Sequence, residues 1–448
     1  MAEAARLTDT VRDLLESGRR ERLSQVLEDA HAADIAAALR DLTLPEQVTL
    51  FRLLGRESAG AVLAELDDQP LHELARGLDE GEISSILDRM RPDDAAQVLE
   101  DLPAEQVEKV LDLMKEEKSE EVQEILEHGE KTAGRLMSPD FLAVHEHLTV
   151  AQAIEQVRKS PVAETASTLY VVDDHDHLVG SLPWRRLVTA DPAALVRFLR
   201  QDEPVRVTAD MDQEEVARLV AKYDLVAVPV VSADHRLLGV ITVDDVIDVI
   251  REEATEDIQR LGGAAGDETV LDSARTVFPK RLVWLLINLA TAILAASVIG
   301  LFEESIRELA LLAIFMPIVA SMGGIGTTQT ATVVVRGLAL GDMTVAHLWR
   351  VVRKETTLAL TIGLANGLVM AGIAYVWKGQ ALLAGIIAVA MTLNMVVAAV
   401  VGVVIPLLLK SFRVDPAIAS SVIITTFTDV FGFFSFLGLA TLLIRFLL

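Results

Sequence analysis

Five apolar stretches of about twenty residues or more fill the last third of the chain, near 282–302, 309–335, 355–377, 381–409 and 417–445. A stretch of that length crosses a bilayer as a helix, because the hydrocarbon offers backbone groups no other partner. Residues 279–448 therefore read as a five-helix, all-α transmembrane domain. Polar residues interrupt the second and fifth stretches. The basic residues orient the set. Lys280 and Arg281 precede the first span. Arg336, Arg350, Arg353 and Lys354 lie between the second and third, and Lys410 and Arg413 between the fourth and fifth. The alternate loops hold only Arg307 and Lys378, beside Glu303, Glu304 and Glu308. The basic loops and everything upstream of the first span should face the cytoplasm, with the C-terminus outside.

Charge divides the chain at the same place. Residues 1–275 hold 59 acids and 29 bases, whereas residues 276–448 hold 7 and 11. So negative a surface repels nucleic acid and anionic lipid and attracts cations. It serves solubility alone, or it gathers cations where acidic surfaces meet; composition leaves both open. There are no cysteines, which excludes disulfides, thiolate metal sites and thiol catalysis. The amphipathic, charged N-terminus lacks the apolar core of a signal peptide.

Upstream of the membrane, residues 1–130 read as helices. Three ungapped 24-residue units run over 43–66, 67–90 and 91–114. Leu54, Leu78 and Leu102 share one position, and Leu63, Leu87 and Leu111 another, preceded by Val62, Ile86 and Val110. A fixed period with recurring apolar positions marks stacked helix pairs in an α-superhelix. Beyond residue 130 the period changes. Leu169-Tyr-Val-Val172 and Val228-Pro-Val-Val231 are short β-type runs, each leading through a polar turn to Leu178-Val-Gly180 or Leu237-Leu-Gly239. Residues 169–188 align with 228–247 at a constant offset of 59, and helical segments near 150–158 and 213–222 precede the two copies. The run Asp173-Asp-His-Asp-His177 falls in a strand–strand turn, where polar residues belong on structural grounds. Residues 244–261 then read as a long acidic helix, broken at Gly262-Gly-Ala-Ala-Gly266. A second helix over 267–277 ends at Pro279-Lys280-Arg281.

The tandem copies resemble a CBS-domain pair, a module that often senses adenine nucleotides or metal ions. In that family a Thr or Ser with an Asp three residues on often holds the ribose. Thr242 and Asp245 fit this in copy two; Ser181 in copy one is followed by Trp184 instead. The resemblance thus implies at most one nucleotide site, for ATP or another adenine nucleotide, or a pair that serves only as a dimerising scaffold. The expected architecture is multidomain: a cytosolic helical-repeat domain (1–130), a tandem CBS (α+β) pair (131–199 and 200–257), a connector helix (258–278) and the transmembrane domain (279–448).

Two polar places in the spans carry the chemistry. An ionised carboxylate at mid-membrane costs roughly 2.5–3.5 kcal/mol on insertion scales, yet Asp429 lies about twelve residues into the fifth span. Thr425 and Thr426 lie one turn before it and Gly432 one turn after, on its own face. Hydroxyls and bare backbone around a carboxylate suit a hard cation with oxygen ligands; a protonated, packed acid is the alternative. The second span holds Pro317, Gly323, Gly324 and Gly326, then Thr327, Thr328, Gln329 and Thr330. Glycines permit close helix contact or exposed backbone. Four consecutive hydrogen-bonding side chains argue beyond that for a water-filled path.

A helical-repeat domain, CBS pair, acidic connector and five spans, in this order, resemble the MgtE family of magnesium channels. Gly323-Gly-Ile-Gly-Thr-Thr-Gln329, Arg336-Gly-Leu-Ala-Leu-Gly341, Val414-Asp-Pro-Ala417 and Thr425-Thr-Phe-Thr-Asp429 are similar to its second- and fifth-span signatures. The chain departs at Ile325, where the family often has Asn, and at Ser421-Val422, where it often has Asn-Pro. The resemblance implies a homodimer whose central pore places two Asp429 carboxylates face to face, holding Mg²⁺ through its water shell, with Gly323, Gly324, Thr327, Thr328 and Gln329 lining the path. Regulation can be argued from charge. Asp244, Asp245, Asp248, Glu252, Glu253, Glu256 and Asp257 of the connector, with Asp88, Asp93, Asp94, Glu100 and Asp101 of the repeat domain and Asp415 at the fifth span, repel when brought together, and divalent cations relieve that repulsion. Asp415 before Pro416 also has the form of a helix N-cap, and the connector acids also suit a solvated face. The rival readings are a membrane-anchored sensor that conducts nothing and an ion-coupled divalent cation carrier. No motif of phosphate-cradling or hydrolytic enzymes is present.

Overall fold

The computed structural model describes residues 2–66, 68–164, 166, 168–270, 272–412, 414–417 and 422–443. Arg413 and Ser421, named above, lie outside them. The chain forms two compact units, Met1–Ile250 and Arg251–Leu448.

In the first unit each 24-residue repeat is a pair of short helices: Leu44–Phe51 with Arg56–Ala64, Asp68–Gly77 with Glu80–Leu87, and Pro92–Glu100 with Ala104–Leu113. No helix this short is stable alone, so stacking of the apolar faces supplies the stability. The repeated positions form that face: Val62, Leu63, Ile86, Leu87, Leu102 and Val110 are buried in one continuous core. Thr43 opens the first helix of the first repeat and Asp79 the second helix of the second repeat, each with a capping box, paired with Glu46 and Glu82.

The CBS pair forms two sheets. The first has four strands in the order β1 (Leu142–His145), β2 (Leu169–Val172), β3 (Leu178–Leu182) and β4 (Gln201–Asp202); the second has β5 (Val207–Thr208), β6 (Ala227–Val231) and β7 (Leu237–Thr242). In each sheet the first pair is parallel and the next antiparallel. The register shifts between Val171 and Val172 in one copy and between Val230 and Val231 in the other, the same bulge at the offset of 59. The turns after β2 and β6 meet: Leu178 N donates to His235 O at 3.0 Å and Leu237 N to Asp176 O at 3.1 Å.

The second unit holds five helices long and apolar enough to span a membrane: Ala274–Gly300, Leu311–Ala339, Leu348–Lys378, Ala381–Ser411 and Val422–Leu443. The second span is one continuous α-helix through Pro317 and all three glycines, as a bilayer penalises any broken turn. One expectation needs correction, in the connector. The helix Val243–Leu261 is followed by non-helical backbone at residues 262–270, 272 and 273, and Pro279 lies inside the first span's helix instead of ending a separate one. Gly263 and Gly266 take positive φ values of 79° and 102°, where a side chain is disfavoured. The segment between is folded back: Gln259 and Glu268 exchange two hydrogen bonds of 2.6 and 3.1 Å. Lys280 pairs with Asp267 at 2.6 Å, and Arg281 pairs with Glu268.

Candidate functional site

The second, fourth and fifth spans pack together around buried small residues, and this packing fixes where Asp429 sits. Asn394 of the fourth span is fully buried. Its amide nitrogen donates to Val319 O at 2.9 Å. A Cβ at Gly323 would lie 2.2 Å from that nitrogen, and one at Gly432 would lie 2.8 Å from it. Glycine at both positions is therefore what admits the carboxamide. The fourth span is thereby keyed to the second span and to the fifth, one turn beyond Asp429.

Asp429 is half-buried. Among the described residues its carboxylate has no hydrogen-bond or ion-pair partner. Thr425, Thr426 and Thr428 precede it, all bonded to carbonyls of their own helix. Their backbone is thus covered, while their hydroxyl lone pairs stay available. Gly324 faces Thr425, whose methyl would lie 4.0 Å from a Cβ placed there.

The second span splits its polar residues between two faces. Gly323 and Thr327 are buried, Gly323 against Asn394 and Thr327 beside Gly402 of the fourth span. Thr328 and Gln329 are exposed on this chain. Within the chain, then, Gly324, Thr328, Gln329, Thr425, Thr426 and Asp429 remain open or half-open, whereas Gly323 and Thr327 do packing work. Thr327 and Thr328 each donate to the carbonyl four residues back, at 2.9 and 3.0 Å. Their hydroxyls are satisfied without water, so the polar run is a weaker argument for a wet path than the sequence suggests.

In the first unit an acidic cluster joins the repeat domain to the second CBS copy. Arg91 is the cation among Asp93, Asp94 and Asp245 in the described residues: it pairs with Asp93 and lies 3.5 Å from Asp94 and 3.6 Å from Asp245. Asp93 is buried and also accepts from the Ser138 hydroxyl at 3.2 Å. One guanidinium cannot balance these carboxylates. Burial first, then the neighbouring Asp93, pushes the Asp94 carboxyl up to about 6 despite Arg91. Burial raises Asp245 as well, although the Thr242 hydroxyl opposes it, and raises Asp140. Asp245 accepts from the Thr242 hydroxyl at 2.6 Å, so the expected ribose pair is bonded to itself and borders this cluster. Asp88 and Glu100 are engaged elsewhere: Asp88 accepts from Lys115 N at 2.9 Å, and Glu100 pairs with Arg135.

In the second unit Arg260 bonds both Glu256, on its own helix, and Asp415, at the entrance to the fifth span. The other oxygen of Asp415 accepts from Ala417 N at 2.8 Å and closes a turn there. Residues 418–421, the start expected for the fifth helix, lie outside the described residues.

Sequence reasoning missed Arg91, Asp140, Arg260 and Asn394, and also Glu355, which is buried in the third span 3.5 Å from the Thr330 hydroxyl. A polar residue in an apolar helix was signal enough for Asn394 and Glu355. Arg91 and Arg260 carry none, because only folding brings them to acids up to 155 residues away.

Comparisons with known proteins agree with this layout. Residues 316–439 match the family described as MgtE, divalent cation transporter. Residues 30–131 match the MgtE intracellular N domain, and 133–193 and 197–252 match CBS domains. The chain is 34% identical to the magnesium transporter MgtE of Thermus thermophilus over 98% of its own length and 99% of that protein. It is 31% identical to the magnesium transporter MgtE of Bacillus subtilis, with 96% of each covered. Among solved structures, the cytosolic domain of the Mg²⁺ channel MgtE in complex with ATP is 35% identical, with a TM-score of 0.51, covering 54% of this chain and 99% of that one.

Proposed function

This chain belongs to the MgtE family of divalent cation transporters, and from that premise we propose that it is a Mg²⁺-selective channel that imports Mg²⁺ through a dimeric pore and is shut by cytosolic Mg²⁺. Magnesium transport and a multi-pass membrane location with cytoplasmic soluble domains follow from the membership; pore, direction and gate are the proposal. The observation that carries it is the unpartnered Asp429 carboxylate within an apolar span. A lone charge there is costly unless it meets water or a cation. Asp429, Gln329 and Thr328 stay open on the single chain, and such groups do not face lipid. A second copy would cover them, in a homodimer with two opposed Asp429 carboxylates. Mg²⁺ gives up water reluctantly, so Thr425, Thr426 and Asp429 would hold it through its hydration shell.

For the gate, the Asp93–Asp94–Asp245 cluster supports a regulatory Mg²⁺ between the repeat domain and the second CBS copy, with Asp244 adding negative charge. Asp88, Asp248, Glu252, Glu253, Asp257, Glu256 and Asp415 complete the proposed regulatory set. In that set Arg260 ties the connector helix to the span that bears Asp429. Thr242 and Asp245 are the proposed contacts for ATP, in keeping with the relative solved with it. Uptake in cells stripped of other Mg²⁺ systems tests the reading. Asp429→Ala should abolish growth at low Mg²⁺ while the protein still reaches the membrane. Full rescue by that variant would favour a sensor that conducts nothing.

A further inference from the structure

The first CBS copy carries a constellation that magnesium chemistry does not use. Five of the chain's nine histidines are His145, His147, His175, His177 and His235, and all lie at the paired turns of the two copies or at the adjoining end of β1. The structure brings the ligand atoms of His145, His147 and Asp174 within 4.8 Å of one another, although 27 residues separate His147 from Asp174. The two imidazoles stack with centroids 5.4 Å apart, and His147 Nδ1 lies 3.1 Å from Asp174.

The rings are already oriented. His145 Nδ1 lies 3.1 Å from Asp173 O. A carbonyl can only accept, so that nitrogen carries the proton and Nε2 presents its lone pair. An imidazole whose second nitrogen donates to a carbonyl is the usual arrangement of a metal-bound histidine. The turn holding Asp174 is fixed from both sides. Asp173 Oδ1 accepts from His175 N at 2.8 Å and His177 N at 2.9 Å, and its other oxygen takes the His177 ring at 3.0 Å. The hydrogen bonds to the second copy's turn, described above, hold it from outside. Asp173 is thus occupied in building the turn, while His147 and Asp174 remain 58% and 77% exposed and open to an ion.

The tandem repeat supplies an internal control. At the offset of 59, copy two has Ser232 and Ala233 where copy one has Asp173 and Asp174. The strand pairing that sets His145 against Val172 sets Thr208 against Val231, so Thr208 and Asp210 stand where copy one has His145 and His147. The same turn and strand are built there with no imidazole at these positions. The fold does not require the cluster.

We propose that His145, His147 and Asp174 form a binding site for a borderline divalent transition metal, of the Zn²⁺, Co²⁺ or Ni²⁺ class, separate from the Mg²⁺ sites. Two imidazoles and a carboxylate with water completing the shell suit such ions, whereas Mg²⁺ selects oxygen ligands in an octahedron. A tetrahedral shell places ligand atoms about 3.4 Å apart, within reach of small rotations of exposed side chains. The soluble unit would then bind such metals independently of Mg²⁺.

The test titrates the full-length protein in detergent with Zn²⁺, and with Co²⁺ for its absorption bands, in millimolar Mg²⁺ to fill the magnesium sites. Wild type should bind one equivalent per chain that Mg²⁺ does not displace. Affinity should fall at least about tenfold in His147→Ala and in Asp174→Asn, and stay unchanged in His235→Ala. Both variants alter exposed side chains, and unchanged thermal melting would exclude misfolding. Equal Zn²⁺ stoichiometry and affinity in wild type and His147→Ala, or displacement of the metal by Mg²⁺, would overturn the assignment.

Discussion

Asp94→Asn should close the interface between the repeat domain and the second CBS copy without any Mg²⁺. Asp94 titrates near 6 instead of the usual 3.8, and that shift already includes the attraction of Arg91. Two pH units correspond to about 3 kcal/mol held against the ionised form. The side chain keeps 32% exposure, and solvent screening lowers the figure to about 1.5 kcal/mol. The sign follows from linkage. A carboxyl with a raised folded-state pKa contributes stability that is complete below its ordinary value and lost as pH rises through 6. At neutral pH the wild-type contact is therefore strained, and on the proposed gate Mg²⁺ would relieve it. About 1.5 kcal/mol is roughly a tenfold change in an opening equilibrium. Amide hydrogen exchange over Pro92–Glu100 reads that equilibrium directly. In chelator at pH 7, Asp94→Asn should exchange about tenfold more slowly than wild type. Added Mg²⁺ should protect wild type strongly and the variant little. Exchange in chelator as fast as wild type, or an undiminished Mg²⁺ effect, would refute the reasoning.

Other substitutions probe the remaining links. Arg260→Ala removes a partly exposed pair worth about 0.2–1 kcal/mol, so the cytosolic Mg²⁺ that half-closes the proposed channel should rise about 1.4- to fivefold in patch recordings. Gly432→Ala should destabilise the detergent-solubilised protein by about 1–3 kcal/mol through overpacking, and Asn394→Ala in the same chain should recover most of the loss in thermal melting. Thr242→Val, which deletes the hydroxyl beside Asp245, should weaken ATP binding about tenfold, the effect of one lost hydrogen bond, as read by calorimetry.

What was legible in the sequence was periodic. The 24-residue repeat located six helices, and the offset of 59 located two strand pairs, although not the bulge that both share. The spans were visible because hydrocarbon leaves the backbone one option. Asp429 stood out because a charge in such a helix is expensive. The connector between Leu261 and Ala274 was not legible. Its helical propensity gave way to hydrogen bonds and ion pairs from Gln259, Lys280 and Arg281 that exist only once the chain has folded. The acidic cluster was half-legible: the acids could be named, but not that Asp94 and Asp245 share Arg91 while Asp88 caps a neighbouring helix. Thr327, expected to line the pore, is buried beside Gly402 in the single chain, because sequence spacing places a residue on a helix without saying which neighbour covers it.

Mg²⁺ flux through the purified protein in liposomes, with no other ion gradient, tests the central claim most directly when wild type is set beside Asp429→Asn, a substitution that keeps shape and removes charge. The account predicts passive Mg²⁺ entry in wild type, suppressed by Mg²⁺ on the side of the soluble domains, and at least about tenfold less in the variant. Equal flux in the two proteins would contradict it, as would flux that appears only with a coupled ion gradient.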